Sequence, residues 1–211
     1  TFRGANEEQE ESAQFLQVAM VLAMFLMAVL LISQFNSFYQ AGLIMTAVVM
    51  STAGVMGGLL ITGEVFSVIL TGVGVVALAG IVVNNNIVLI DTFNVLRREN
   101  PAMSLSGVII RTGAQRLRPV FLTTATTILG LLPIATNWSI DVVSRTLDHG
   151  GTVASYWVPL ASAIVWGLAF STLLTLIVTP CMLLLPQALK RNLRWVKQQI
   201  VFGLTRVLKR T

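Results

Sequence analysis

Residues 12–63 read SAQFLQVAMVLAMFLMAVLLISQFNSFYQAGLIMTAVVMSTAGVMGGLLITG, without one charged side chain between Glu11 and Glu64. A helix rises ~1.5 Å per residue, so about 20 apolar residues cross a ~30 Å hydrocarbon core and this stretch is long enough to cross twice. Phe35, Phe38 and Tyr39 divide it with an aromatic turn of the kind that sits at a membrane interface. Three further charge-free runs follow, from Glu64 to Asp91, Arg118 to Asp141 and His149 to Lys190, each long enough for one crossing. The expected fold is all-α: a polytopic membrane bundle of about five transmembrane helices, at about 13–33, 42–62, 66–92, 117–136 and 155–184.

Composition agrees, with 55% hydrophobic and 11% charged residues in a chain of 211 and a mean hydropathy of +0.81. A water-soluble domain needs more polar surface than this. The net charge of +5 does not indicate nucleic acid, because the bases lie at helix ends and in the tail, with no aromatic-basic groove pattern. Cys181 is the single cysteine, so neither an intrachain disulfide nor a cysteine metal cluster is expected. His149 has no paired ligand or nucleophile and no phosphate-binding loop occurs, so no enzymatic activity, cofactor or resident metal is expected.

Charge sets the expected organisation. Glu7, Glu8, Glu10 and Glu11 precede the first helix, where acids suit a helix N-terminus, and residues 1–12 are expected to end an extracytoplasmic (periplasmic) domain. The membrane domain spans 13–185, and 186–211 form a basic, amphipathic cytoplasmic tail. The connector from Asn94 to Arg118 holds Arg97, Arg98, Arg111, Arg116 and Arg118 against Glu99 alone, and 102–112 are expected to form a short helix along the membrane surface. By the positive-inside rule connector and tail are both cytoplasmic, and five crossings then place the N-terminus outside. The chain starts at Thr1 on an acidic stretch rather than a basic, apolar leader, so a part of a longer protein is expected. Pro133 is expected to kink or end the fourth helix.

Polar and small residues inside the spans are the candidate functional groups. Gly54 and Gly58, four apart, are expected to let another helix approach closely, the alternative being that glycine is simply common in membrane helices. Asn84, Asn85 and Asn86 are adjacent, and at about 100° per residue Asn84 and Asn86 point to nearly opposite sides of the helix. They either line a cavity or act as interhelical hydrogen-bond glue. Arg116 and Thr123, seven apart, share a face, which Thr127 extends; these hydroxyls either relay protons or bond back to their own helix.

The run Gly80-Ile-Val-Val-Asn-Asn-Asn-Ile-Val-Leu-Ile-Asp91, then Arg116-Leu-Arg-Pro119 and Thr123-Thr-Ala-Thr-Thr-Ile-Leu-Gly-Leu-Leu-Pro133, resembles the resistance–nodulation–division (RND) transporters, particularly their hydrophobe and amphiphile efflux branch. The resemblance covers essentially the whole chain, including Gln34-Phe-Asn-Ser-Phe-Tyr39. It implies helices eight to twelve of a twelve-helix bacterial inner-membrane pump, half of its membrane domain, in a homotrimer that works with a periplasmic adaptor and an outer-membrane channel. In such pumps the proton relay joins an aspartate pair on helix four, in the half this chain lacks, to a lysine on helix ten and an arginine and threonine on helix eleven. The last two fall on Arg116 and Thr123. The lysine position falls on Asn84, and an amide cannot carry the charge that answers an ionised acid pair. Either Arg116 supplies that charge, or the coupling differs in this branch, or this copy is impaired.

The resemblance therefore implies export of hydrophobic or amphiphilic compounds by proton antiport. The alternatives are a heavy-metal exporter of the same superfamily and a truncated, non-transporting membrane module.

Overall fold

The computed structural model describes residues 2–141 and 146–208. Among the described residues five helices run in order, α1 (Phe2–Phe35), α2 (Phe38–Thr62), α3 (Val68–Glu99), α4 (Leu105–Ala135) and α5 (Thr152–Leu208). Each contains a segment long and apolar enough to cross a membrane: Gln9–Phe35, Phe38–Thr62, Val68–Glu99, Leu105–Ala135 and Ala154–Pro186. An antiparallel hairpin, β1 (Trp138–Asp141) with β2 (Thr146–His149), joins α4 to α5 and pairs Trp138 with His149.

Helix ends follow local chemistry. Serine side chains accept the orphan backbone N–H at three N-termini: Ser37 from Gln40, Ser67 from Leu70 and Ser104 from Gly107. Gly63 closes α2 at φ 69°, a left-handed conformation that costs glycine nothing. The N–H and hydroxyl of Thr136 both reach the Leu132 carbonyl, at 2.9 and 2.7 Å. With that end satisfied, α4 continues through Pro133 to Ala135 and is not cut at the proline.

Several helices extend beyond the expected spans. The helix along the membrane surface over 102–112 is absent, because α4 starts at Leu105 and runs unbroken past Pro119. Val108 and Ile109 are buried in the same core cluster as Phe93 and Leu96 of α3. An apolar face of helical period reads the same whether it meets lipid or another helix, so periodicity alone does not separate the two. Helix α1 likewise begins at Phe2, ahead of the expected start at 13, and α5 runs on to Leu208 through the segment assigned to the tail.

Helix α5 packs against α2, α3 and α4, while α1 lies against α2 and α3. Ile44, Val55, Leu78, Val82 and Leu168 are the centre of the core. In lipid no hydrophobic drive pulls helices together, so close approach depends on small residues. A Cβ placed on Gly54 would overlap the Phe170 side chain, and one on Gly58 would overlap Trp166. The small stripe of α2 is where Trp166 and Phe170 of α5 sit. Gly167 supplies the reciprocal notch on α5, receiving Leu78 and Val55. The outer face of α1 presents Phe15, Val18, Val21 and Phe25, all strongly exposed, as suits a surface against lipid.

Candidate functional site

The asparagine triplet lies in the second half of α3, and helical rotation separates its members. Asn86 is fully buried. Its Nδ2 donates to the Val82 carbonyl at 2.9 Å and to Thr175 Oγ1 at 3.1 Å, and its Oδ1 accepts from Thr179 Oγ1 at 2.9 Å. Asn85 is half-buried and Asn84 exposed. Asp91, seven residues on and therefore on the same face as Asn84, is exposed as well. The amide singled out at position 84 thus looks away from this bundle, and the interhelical bonds belong to Asn86.

Arg116 is half-buried on α4. Its Nε donates to the Thr92 hydroxyl of α3, which itself donates to the Val88 carbonyl at 2.8 Å. Thr123 bonds back to the Val120 carbonyl at 2.9 Å and Thr127 to the Thr123 carbonyl at 2.8 Å. The neighbouring Thr124 is the buried one, 2.8 Å from Thr172 Oγ1 of α5. Hydrogen bonds therefore join Arg116 to Thr92, Thr124 to Thr172 and Asn86 to Thr175 and Thr179. None joins Asn84, Arg116 and Thr123 to one another.

Sequence reasoning missed the threonine stripe of α5. Thr172, Thr175 and Thr179 recur at intervals of three and four within an apolar helix, which places three hydroxyls on one side. All three are buried. That spacing was a readable signal, hidden behind the more conspicuous triplet.

Two further polar contacts brace the bundle. Gln40 and Asn94 exchange amide hydrogen bonds at 2.9 and 3.1 Å, tying the start of α2 to the end of α3. Ser162 of α5 donates to Glu64 Oε1 at 3.1 Å, while Glu64 Oε2 is buried without a partner. Among the described residues no three His, Cys, Asp or Glu side chains gather where they could hold a metal ion.

Chemically, Arg116, the asparagines and the threonines offer a permanent positive charge, neutral amides and hydroxyls. Such groups orient and neutralise an acid but do not shuttle a proton as a carboxylate does. Five apolar helices with amide, hydroxyl and guanidinium groups at their contacts define a polytopic membrane protein.

Residues 1–187 match the AcrB/AcrD/AcrF family, and the chain belongs to that family of RND transporters. It is 33% identical over 181 residues to the cobalt-zinc-cadmium resistance protein CzcA of Cupriavidus metallidurans, covering 85% of this chain and 16% of that protein. Against the multidrug resistance protein MdtC of Erwinia tasmaniensis it is 29% identical over 190 residues, 90% of this chain and 17% of that one. The crystal structure of a heavy metal efflux pump superposes with a TM-score of 0.69 at 30% identity, over 86% of this chain and 16% of that chain. The chain thus spans about one sixth of the length of these relatives.

Proposed function

We propose that this chain is the C-terminal membrane portion of a proton-driven inner-membrane RND exporter of heavy-metal cations. What supports the substrate reading is the similarity to a cobalt-zinc-cadmium resistance protein and to a heavy metal efflux pump. It favours the heavy-metal alternative over the expected hydrophobic or amphiphilic cargo. The motifs behind that expectation, the asparagine run and Arg116-Leu-Arg-Pro119, lie in the membrane, and the chemistry they offer is that of proton coupling rather than cargo recognition. The likeness to MdtC keeps multidrug export as the second reading.

The observation that carries the coupling reading is the open polar face of α3 and α4. Asn84 and Asp91 face out of the five-helix bundle, and Arg116 is held beside α3 by Thr92. An exposed amide and carboxylate on a membrane helix are costly against lipid and are satisfied by a partner that brings polar groups of its own. The other half of a twelve-helix membrane domain, with its acid pair, is that partner. In this arrangement Arg116 holds the fixed positive charge, Thr123 orients a hydrogen bond, and Asn84 positions the acids without neutralising them. The working assembly is a homotrimer with a periplasmic adaptor and an outer-membrane channel, the N-terminus periplasmic and the C-terminus cytoplasmic.

Deletion of the complete transporter tests the cargo. Sensitivity to cobalt, zinc and cadmium should rise, with accumulation of the metal in the cells. Unchanged metal tolerance together with raised sensitivity to amphiphilic drugs would move the assignment to the multidrug reading.

A further inference from the structure

Around Asn86, helix α3 meets its neighbours through Val82, Val83, Leu89 and Ile90, all buried. Branched aliphatic contacts of this kind have little directional preference, and in lipid no hydrophobic drive selects one rotation of a helix over another. A slip by one residue turns the helix face by about 100°. The Asn86 amide is directional. The Val82 carbonyl can only accept, so the amide nitrogen must face it, which fixes the amide flip and turns the oxygen to Thr179. Thr175 and Thr179, one turn apart on α5, then clamp the two ends of the amide.

We propose that Asn86 is a positioning residue for proton coupling: its bonds to Thr175 and Thr179 fix the rotation of α3 on α5, and this rotation presents Asn84 and Asp91 to the other half of the transporter. Asn84 lies about 160° from Asn86 around the helix, and Asp91 about 140°. Locking one side of α3 to α5 therefore aims the opposite side outward, where both residues are exposed. A single buried asparagine setting register between otherwise apolar helices is an established physical device. The proposal rests on the coupling reading above.

The test uses the complete transporter at matched membrane abundance. In a Cys181→Ser background, single cysteines at Val83 and Asn84 are labelled with a water-soluble maleimide, with and without Asn86→Ala. Position 84, on the polar seam between the two halves, should label faster than position 83, buried among apolar side chains, and Asn86→Ala should reduce that ratio by about 10-fold, the scale set by losing two interhelical hydrogen bonds. Without the amide, the Thr175 and Thr179 hydroxyls can turn to carbonyls of their own helix, so the substitution leaves no buried hydroxyl stranded. Without the cysteine reporters, Asn86→Ala should lower the maximal rate of zinc export by about 10-fold and shift its pH profile, with KM changed by less than about twofold. An unchanged labelling ratio overturns the lock. A changed ratio with wild-type rate and pH profile overturns its part in coupling, as does a fall in rate without a shifted pH profile. If the wild-type protein exports without responding to a pH gradient, the coupling reading fails by itself, and the labelling ratio still decides whether Asn86 sets the rotation.

Discussion

Arg116 Nε on α4 donates to the Thr92 hydroxyl on α3, so the guanidinium is held by one edge against the helix that carries the asparagine run. Thr92 donates its own hydroxyl hydrogen bond to the Val88 carbonyl, which leaves its oxygen free to accept and fixes the geometry from both sides. No further hydrogen bond to Arg116 occurs among the described residues, so its terminal nitrogens remain available for an acid brought by another helix.

Replacing that charge should stop coupling. In the complete transporter Arg116→Ala is expected to reduce export by about 100-fold or more, the scale of removing a preorganised electrostatic partner. Thr92→Val keeps the charge and removes its anchor, so a loss of about 10-fold is expected, the weight of one hydrogen bond to a charged group. Rates at matched membrane abundance check both. Equal effects of the two substitutions would mean that the anchor, not the charge, matters.

Neighbouring glycines on α2 should respond in opposite directions to one methyl group. At Gly58 a Cβ overlaps Trp166, whereas at Gly57 nothing lies within 4 Å. Gly58→Ala should destabilise by about 1–3 kcal/mol through overpacking. Gly57→Ala should be neutral or stabilising by up to about 1 kcal/mol, the helix-propensity difference. Thermal unfolding in detergent separates them, and identical shifts would contradict close packing of α2 on α5.

The membrane spans were legible because charge-free length is a property of the sequence alone. The lipid-compatible segments Phe38–Thr62 and Ala154–Pro186 follow directly from where Glu64 and Lys190 fall. Less legible was what each polar residue meets. The asparagine run announces a polar site, and 100° steps separate Asn84 from Asn86, but only the packing of α5 shows that Asn86 is the one turned inward. Thr123 and Thr124 are likewise indistinguishable by composition, and a rotation of one residue gives the buried interhelical bond to Thr124. The extent of α4 was hidden for a related reason, since Val108 and Ile109 bury the same apolar face that a surface helix would give to lipid.

Asn84 offers a direct probe of the missing charge. Its exposed position leaves room for a longer side chain, so Asn84→Lys should insert normally and retain export. Asn84→Leu should insert equally well and lose export, because it removes the amide from that face. Membrane abundance and metal export measured together check the pair. Full export by the leucine variant would leave Asn84 without a role.

Topology is tested with single cysteines in the Cys181→Ser background. Arg98→Cys, at the end of α3, should label from the cytoplasmic side, and Gly151→Cys, after the hairpin, from the periplasmic side. Labelling of both from one side would overturn the five-crossing arrangement.

Proton coupling itself is most directly measured in proteoliposomes that hold the complete transporter and an internal pH dye, with zinc added under an imposed pH gradient. The wild-type protein should show zinc-dependent proton flux, absent from the Arg116→Ala protein at equal reconstitution. Zinc transport without proton flux, or equal flux from the two proteins, would contradict a proton-driven exporter with Arg116 as its fixed charge.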